Sequence, residues 1–345
     1  MKKAVFRVDA SSEIGGGHVG RCLALGAALS AIGWSVVFAS RPGTATAAPL
    51  LVESGLQIID LDCAVEPFAE AEKIITSLGE RPHLLVVDHY GLGAEYENAF
   101  RRVAGLVAAI DDVPGERPHL VDILIDGTPG RQGHDWSPHV PKAALILAGT
   151  RYALVRASVV DMRQEALSRL RRNEVRKVTI FFGMADKQKA TLTAMLATRA
   201  AFPQAQMDVI AGAAVRHLAE IKTVAGAVGA SVSVSPSDYL DRLVASDLAF
   251  GAGGVAAIER ACLGVPSIAI ETAMNQKQVI EALEISGALI NAGPIKQMNE
   301  ERMVPILKEA AQELNRISKC AAATIDGLGA RRAAQVLSQY VEKAV

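Results

Sequence analysis

Short apolar runs alternate with longer segments of helical periodicity along almost the whole chain, and the alternation starts again near residue 177. A strand buried in a parallel sheet reads as an uninterrupted apolar run, and a helix usually connects it to the next strand. The pattern therefore predicts an α/β chain with two doubly wound parallel sheets. The predicted strands span residues 4–8, 35–39, 57–61, 84–87, 106–110, 123–125 and 144–147 in the first half and 177–182, 207–211, 231–234, 248–251, 267–270 and 288–291 in the second.

The restart of the pattern predicts two domains. With 345 residues, half of them apolar, the chain is long enough for two cores of ordinary size. We predict an N-terminal Rossmann-like domain over residues 1–158 and a C-terminal one over 159–345, whose last helix, 330–345, returns toward the first domain. Ligands of open parallel sheets bind beyond the carboxyl ends of the strands, so we expect the two domains to face a cleft.

Charge and hydropathy argue against several classes of protein. The formal net charge is −1, which gives no chain-wide basic field for nucleic acid, and no apolar run is long enough to cross a bilayer. The cysteines lie too far apart for a zinc site or a disulfide framework. They are Cys22, Cys63, Cys262 and Cys320. We expect a monomeric cytoplasmic protein with buried thiols, no nucleic-acid partner and no membrane insertion.

The first predicted strand leads into the glycine-rich segment Asp9-Ala-Ser-Ser-Glu-Ile-Gly-Gly-Gly-His18, which precedes a helical pattern. Glycines let the backbone approach a ligand closely, and the amides of a helix N-terminus attract anions. Glu13 and His18 add groups that can move a proton near neutral pH. The predicted binding surface consists of Gly15, Gly16 and Gly17. A histidine at a helix start also caps loops, so both roles of His18 stay open on these residues alone.

The same loop matches a dinucleotide-binding pattern at residues 15–20, and Arg41 after the second strand is suited to a 2′-phosphate. That pattern normally begins where the strand ends. Here residues 9–14 intervene, and they include acids that repel a pyrophosphate. We therefore disfavour a nicotinamide cofactor.

A second glycine-rich element closes the strand predicted at residues 248–251 and includes Gly253 and Gly254. A strand that ends in glycines before a helix presents free N–H groups to phosphate. Glu259 lies about one turn into that helix. Its carboxylate is placed either to accept hydrogen bonds from ribose hydroxyls or merely to favour the helix N-terminus through the macrodipole.

Taken together, these elements resemble the UDP-sugar hydrolases of pseudaminic acid biosynthesis, which are metal-independent relatives of the MurG-type glycosyltransferases with their two-domain GT-B fold. The matches fall in order along both halves of the chain. The matching segments are Asp9 to His18 with Arg21-Cys22-Leu23, Val87-Asp-His-Tyr-Gly-Leu92, Ile110-Asp-Asp112, Arg151-Tyr152-Ala153-Leu154, Phe181-Phe-Gly183 with Asp186, Glu259-Arg-Ala-Cys-Leu-Gly-Val-Pro-Ser267 and Asn275-Gln276.

The resemblance implies hydrolysis of UDP-2,4-diacetamido-2,4,6-trideoxy-β-L-altropyranose to UDP and the free sugar, with C1–O cleavage, inversion and no metal or other cofactor. It implies that His18 takes a proton from water, that Tyr90 and Asn275 line the sugar site, and that Glu259 holds the ribose. The substrate-binding residues implied are Glu13, Gly15, Gly16, Gly17, Arg21, Asp88, Gly183, Gly253, Gly254, Glu259 and Gln276.

Several alternatives remain at this point. His89 is a second candidate base, although alternation along the strand end points it away from Tyr90. Adjacent carboxylates usually point apart, so Asp111 and Asp112 are not predicted to act as a catalytic pair, and Asp112 alone is a candidate. An inverting GT-B glycosyltransferase that uses a UDP-amino sugar is the second functional hypothesis, and a non-catalytic UDP-sugar-binding protein is the third.

Two departures from the family pattern leave the sugar open. Met184 stands where the family often has a second glycine, and residues 255–257 are Val-Ala-Ala where hydroxyl residues are frequent. Each lost hydroxyl removes a possible hydrogen bond worth about 1–3 kcal/mol if it is charge-assisted. A related diacetamido-trideoxyhexose, or another surface-polysaccharide precursor, is therefore an alternative sugar.

Overall fold

The structure, a computed structural model, describes residues 1–11, 13–62, 66–169 and 174–344. The chain divides into two compact units. Unit 1 comprises Met1–Ala157 and Gly327–Val345, and unit 2 comprises Ser158–Asp326. Of the predicted buried thiols, Cys22 and Cys262 are buried and Cys320 is partly buried; Cys63 lies outside the described residues.

Unit 1 contains a parallel seven-stranded sheet of order β3-β2-β1-β4-β5-β6-β7. Its strands are Lys3–Val8 (β1), Ser35–Ser40 (β2), Gln57–Asp60 (β3), Leu84–Asp88 (β4), Leu106–Ile110 (β5), Ile123–Asp126 (β6) and Leu145–Ala148 (β7). Apolar side chains of β1 alternate between the two faces: Phe6 packs into one core cluster and Val5 into another. Burial on both faces explains why these strands read as continuous apolar runs.

The helices of unit 1 cover both faces of the sheet or connect its strands. They are Gly17–Ser30 (α1), Thr44–Ala47 (α2), Leu50–Glu53 (α3), Pro67–Leu78 (α4), Ala94–Phe100 (α5), Gly133–Trp136 (α6) and, at the C-terminus, Gly329–Ala344 (α15), with a 3₁₀ turn at Thr150–Tyr152. Leu337 and Val341 of α15 share a core cluster with Leu25 of α1. The C-terminal helix is therefore part of the unit that the N-terminus begins.

Unit 2 contains a parallel six-stranded sheet of order β10-β9-β8-β11-β12-β13. Its strands are Lys177–Phe181 (β8), Gln206–Ala211 (β9), Ser231–Val234 (β10), Leu248–Ala252 (β11), Ser267–Glu271 (β12) and Ile290–Pro294 (β13). Its helices are Ala157–Ser168 (α7), Ala190–Ala201 (α8), Leu218–Val228 (α9), Tyr239–Val244 (α10), Val255–Cys262 (α11), Lys277–Ile285 (α12), Glu300–Gln312 (α13) and Leu314–Thr324 (α14), with 3₁₀ turns at Met274–Gln276 and Ile295–Gln297.

Both sheets confirm the predicted α/β class, and every predicted strand overlaps an observed one. Four observed strands, β2, β4, β6 and β12, end one residue later than predicted, on a polar side chain. Asp88 still pairs with Val8 in the ladder between β4 and β1, although a carboxylate does not continue an apolar run. The carboxyl ends of β1 and β4 thus lie side by side. Among the described helices, none has the length and apolar character needed to cross a membrane.

Candidate functional site

The loop after β1 is folded on itself by hydrogen bonds. The Ser11 carbonyl accepts the Gly15 amide at 2.8 Å, and the Ser11 hydroxyl oxygen accepts the amides of Glu13 and Ile14 at 3.1 Å each. Gly15 has φ +80°, a left-handed conformation that favours glycine. Helix α1 then begins at Gly17, so the turn places His18 in the first turn of the helix. The side chain of Glu13 is exposed on this turn.

His18 is held by Asp88 at the neighbouring strand end. The distance from His18 Nδ1 to Asp88 Oδ1 is 2.5 Å, and the two side chains are 6% and 0% exposed. The ladder between β1 and β4 brings Asp88 beside Val8, which ends the strand that precedes the loop. Because an ionised carboxylate only accepts hydrogen bonds, Nδ1 donates and the lone pair of the ring lies on Nε2. This arrangement suits Nε2 to accept a proton.

Arg21, one turn after His18 on α1, joins the same carboxylate through two hydrogen bonds. Its Nε donates to Asp88 Oδ2 at 2.7 Å and its Nη2 to Asp88 Oδ1 at 2.6 Å. Burial would raise the pKa of Asp88, but the Arg21 guanidinium and His18 lower it well below its usual range. Asp88 is therefore an anion at working pH and keeps the orientation of His18 fixed.

Tyr90 and Asp112 extend this cluster. The Tyr90 hydroxyl donates to Asp112 Oδ1 at 2.7 Å, and Arg21 Nη1 donates to Asp112 Oδ2 at 2.9 Å. The Tyr90 ring meets the His18 ring edge-on, with a centroid distance of 4.5 Å. Burial opposes ionisation of Asp112, but Arg21 and the Tyr90 hydroxyl lower its pKa. The structure thus brings together four residues that were each predicted as site residues from the sequence: His18, Arg21, Asp88 and Tyr90.

Asp111 faces a different set of partners from Asp112, which confirms that the adjacent carboxylates point apart. Its Oδ2 accepts from His119 Nε2 at 2.9 Å and from the Arg117 guanidinium. The other nitrogen of His119, Nδ1, lies 2.6 Å from Glu97 Oε1. Burial lowers the pKa of His119, but these two carboxylates outweigh burial and raise it to about 9. Sequence reasoning missed this cluster because its members lie on loops and a helix without a common spacing.

The raised pKa of His119 predicts a pH-dependent contribution to stability. The folded protein holds the proton up to about pH 9, whereas the unfolded chain releases it near 6.5. The protonated His119 side chain contributes about 3 kcal/mol at most to the free energy of unfolding. This contribution is fully present below pH 6.5 and is lost as pH rises through 9. Urea titrations of His119→Gln should therefore show a flatter decline between pH 6.5 and 9 than wild type.

His134, whose side chain is 81% exposed, supplies the matched control. His134→Gln should keep the wild-type decline over the same pH range. Equal slopes for wild type and His119→Gln would contradict the assigned charge of His119.

His89, the second candidate base, faces away from Tyr90, as strand alternation predicted. Its Nε2 lies 3.5 Å from Asp9 Oδ2, and its Nδ1 accepts the Gly91 amide at 2.8 Å. Burial lowers the pKa of His89, outweighing the nearby Asp9 carboxylate. Because Nδ1 is used as an acceptor by the backbone and Nε2 faces a carboxylate, neither nitrogen is arranged like Nε2 of His18.

In unit 2, the glycines after β11 are tied to the 3₁₀ turn at Met274–Gln276. The side-chain oxygen of Gln276 accepts the Gly253 amide at 3.3 Å and also the amide and hydroxyl of Thr272 at 3.0 and 3.1 Å. Asn275 is exposed beside it, and Glu259 is buried on α11. Gln276, predicted to bind the substrate, therefore shapes the loop in this structure.

Gly253 is closely packed against α12, whereas Gly254 is not. A Cβ atom at 253 would lie 2.3 Å from Ile280 Cγ1, while one at 254 meets nothing within 4 Å. We expect Gly253→Ala to lower the free energy of unfolding by roughly 1–3 kcal/mol through overpacking. Gly254→Ala should change it by less than about 0.5 kcal/mol. Parallel urea denaturation of both variants measures the difference, and equal losses would contradict this packing.

The loop after β8 holds another predicted site residue. Gly183 has φ +82°, which favours glycine, and Met184 follows it beside Gly212, where a Cβ would lie 2.3 Å from Met184 Cα. Asp186 accepts the amides of Ala190 and Thr191 at the start of α8, at 2.9 and 3.1 Å. The matched motif thus forms a tight turn and a helix cap. Within the described part of the chain, no group of three or more His, Cys, Asp and Glu side chains is arranged to hold a metal ion.

Sequence comparison links the chain to a curated enzyme. No protein-family model matches it. The chain is 29% identical over 197 residues, 57% of its length, to the UDP-2,4-diacetamido-2,4,6-trideoxy-beta-L-altropyranose hydrolase of Campylobacter jejuni. It is 19% identical over 276 residues, 78% of its length, to an uncharacterised protein of Methanocaldococcus jannaschii. These alignments span 65% and 55% of the two relatives.

Solved structures show the fold across nearly the whole chain. MurG of Acinetobacter baumannii aligns with a TM-score of 0.69 at 12% identity, covering 98% of this chain and all of MurG. The spinosyn rhamnosyltransferase SpnG aligns with a TM-score of 0.64 at 16% identity, covering 99% of this chain and all of SpnG. The predicted fold, two Rossmann-like parallel-sheet domains of the GT-B type, is therefore confirmed.

Proposed function

We propose that the chain is a UDP-sugar hydrolase that cleaves the C1–O bond of its substrate with inversion. The observation that carries the proposal is the His18–Asp88 pair, since it fixes a buried imidazole with its basic nitrogen on Nε2. The 29% identity to a curated UDP-sugar hydrolase supports hydrolysis of a UDP-sugar. The GT-B fold supports an enzyme acting on an activated sugar only by analogy, because one fold hosts many functions.

In this mechanism His18 acts as a general base. Water attacks C1 on the face opposite the departing nucleotide while Nε2 takes one of its protons. The bond from C1 to the β-phosphate oxygen breaks, and its electron pair leaves with UDP. Asp88 stabilises the imidazolium that forms, as the carboxylate of a catalytic triad does. Proton and electron pair are thus both accounted for without a further reactant.

The neighbouring residues receive different roles in the proposal. Tyr90 lies against the His18 ring and orients the sugar beside it. Asp88, fully buried, is assigned a positioning role rather than the substrate contact first predicted, since His18, Arg21 and Cys22 occupy its oxygens. Arg21, 12% exposed, fixes both Asp88 and Asp112.

We assign nucleotide binding to unit 2. Negative charge grows on the β-phosphate as the bond breaks, and the amides at the start of α11 after Gly254 are placed to stabilise it. Glu259 would accept hydrogen bonds from the ribose, and the exposed Asn275 would donate to the sugar or phosphate. Gly183 and the loop of Gly15 to Gly17 supply backbone surface for the ligand.

We further propose UDP-2,4-diacetamido-2,4,6-trideoxy-β-L-altropyranose, or a close UDP-deoxyaminosugar, as the substrate, in the cytoplasmic synthesis of pseudaminic acid or a related surface glycan. The support is the activity for which the Campylobacter jejuni relative is named. The proposal includes action as a monomer without a metal. Met184 and the apolar residues 255–257 depart from the family pattern, so the proposal extends to UDP-sugars with other substituents on the sugar ring.

The test follows the anomeric proton of this UDP-sugar by NMR, with EDTA and without any acceptor, beside a His18→Asn control. Prompt UDP release that first gives the inverted anomer, and that is lost in the control, supports the hydrolase. UDP release only after a sugar or lipid-linked acceptor is added would instead favour the glycosyltransferase alternative. Binding of UDP with no turnover under any of these conditions would favour a binding protein.

A further inference from the structure

Arg260 on α11 is a buried cation with few partners. It is 1% exposed, and its Nη2 donates to the Ala252 carbonyl at 3.0 Å. Its Nε and Nη1 have no hydrogen-bond partner among the described residues. Burial lowers the pKa of Arg260, and the nearby Tyr239 and Glu259 only partly oppose this effect. Burying a guanidinium with unpaired N–H groups costs folding free energy, so a contribution to stability does not explain why Arg260 stands at this position.

The strand beside Arg260 is built to admit the guanidinium. A Cβ atom at Gly251 would lie 2.3 Å from Arg260 Nη1 and 2.8 Å from Cζ. Only glycine therefore leaves space for the charge against the backbone of β11. Since Ala252 accepts from Arg260 and directly precedes Gly253, the charge lies at the base of the glycine loop that leads into α11.

Other buried arginines of the chain have conventional partners. Arg7 forms ion pairs with Asp9 and Glu70. Arg131 donates to Asp126 Oδ2 at 2.5 Å and to the Asp112 carbonyl at 2.8 Å. Arg7 also has two nitrogens without a hydrogen-bond partner, but its guanidinium lies against two carboxylates. Arg260 differs because, among the described residues, no hydrogen bond or ion pair joins it to a carboxylate. Unsatisfied donors next to a helix N-terminus whose cap, Gly254, has no side chain indicate an anionic ligand.

We propose that Arg260 is a fixed positive charge beneath the Gly253–Gly254 loop that strengthens binding of the diphosphate of a nucleoside diphosphate, and not of its nucleoside. The inference rests on the proposed nucleotide-binding role of unit 2. Arg260 acts through the loop and through its charge, so it is a positioning residue. The low exposure of the guanidinium places the phosphates over the loop amides, with the arginine charge behind them.

Three substitutions separate charge from structure. Arg260→Met removes the charge and keeps the volume, Arg260→Lys keeps the charge, and Arg260→Gln keeps a neutral donor for the Ala252 carbonyl. Arg199→Met is the matched control. Arg199 lies on the last turn of α8 and, like Arg260, donates to a backbone carbonyl, that of Val228, at 2.7 Å. Dissociation constants of the full-length protein for UDP, uridine and inorganic pyrophosphate are measured by calorimetry or phosphorus NMR, with circular dichroism as a check of folding.

We expect Arg260→Met and Arg260→Gln to weaken UDP and pyrophosphate binding about tenfold and to leave uridine binding within about twofold. Arg260→Lys should recover most of the loss, and Arg199→Met should show none. Equal weakening of UDP and uridine, full recovery by Gln, or unchanged UDP binding would each overturn the proposal. Wild type that binds pyrophosphate in an Arg260-dependent manner, but binds UDP no more tightly than pyrophosphate, would support the Arg260 inference and contradict the proposed UDP specificity.

Discussion

The change of His18 to Asn is expected to lower kcat by about 10²–10⁴-fold, the usual contribution of a general base. The Asn side chain still reaches Asp88, because its amide nitrogen replaces the Nδ1 donor that lies 2.5 Å from Oδ1. It has no counterpart of Nε2, so no group remains to take the proton from water. The affinity for UDP, assigned to unit 2, should stay within about twofold. Stopped assays of UDP release and calorimetry with UDP measure the two quantities.

His89→Gln is the matched control for this experiment, because His89 lies in the same unit but faces Asp9. It should keep kcat within about tenfold of wild type. Retention of kcat by His18→Asn together with its loss in His89→Gln would reassign the base to His89. Loss of UDP binding in His18→Asn would show that His18 serves binding rather than proton transfer.

Asp88→Asn is expected to damage both catalysis and stability. A carboxamide can donate to His18 Nδ1, which favours the tautomer with its proton on Nε2 and removes the base; we expect a loss of about 10²–10⁴-fold in kcat. Arg21 also loses the buried anion that accepts its Nε and Nη2 at 2.7 and 2.6 Å. Breaking such a pair typically costs about 3–5 kcal/mol of unfolding free energy. Steady-state kinetics and urea denaturation at pH 7 test both effects.

The pH dependence of this stability loss has a definite sign. The folded-state pKa of Asp88 is lowered from its usual value, so the carboxylate stabilises the fold above pH 4 and this contribution is lost as pH falls further. The difference between wild type and Asp88→Asn should therefore shrink in acid. Asp112→Asn is the control. The Asp112 side chain is 27% exposed and bonds to Arg21 and Tyr90 rather than to His18, so its effect on kcat should be smaller. A larger effect of Asp112→Asn would contradict the role given to Asp88.

Much of the fold was predictable because a parallel strand buried on both faces of the sheet is a continuous apolar run in the sequence. The strand at Leu106–Ile110 was predicted with its observed ends, since every residue in it is buried. Prediction failed at strand ends such as Asp88 and Asp126, where a polar residue continues the ladder. The backbone hydrogen bonds that decide those ends leave no trace in hydrophobicity.

The candidate site was predictable residue by residue but not as an arrangement. The glycine-rich turn after the first predicted strand indicated His18, whereas Tyr90 was predicted from the family resemblance. The pairing of His18 with Asp88, 70 residues apart, depends on β4 lying next to β1, which the order of strands in the sequence does not reveal. Arg260 and His119 were missed for a related reason: burial of a charge is a property of the packed fold and not of a local pattern.

The most direct test of the proposed mechanism is the fate of labelled oxygen during hydrolysis in H₂¹⁸O without acceptor. The enzyme, its His18→Asn variant and the UDP-diacetamido-trideoxyhexose are incubated together, and both products are analysed by mass spectrometry. Attack of water on C1 predicts label in the free sugar and none in UDP, with little product from the variant. Label in the β-phosphate of UDP, or equal product from wild type and variant, would contradict water activation by His18 at C1.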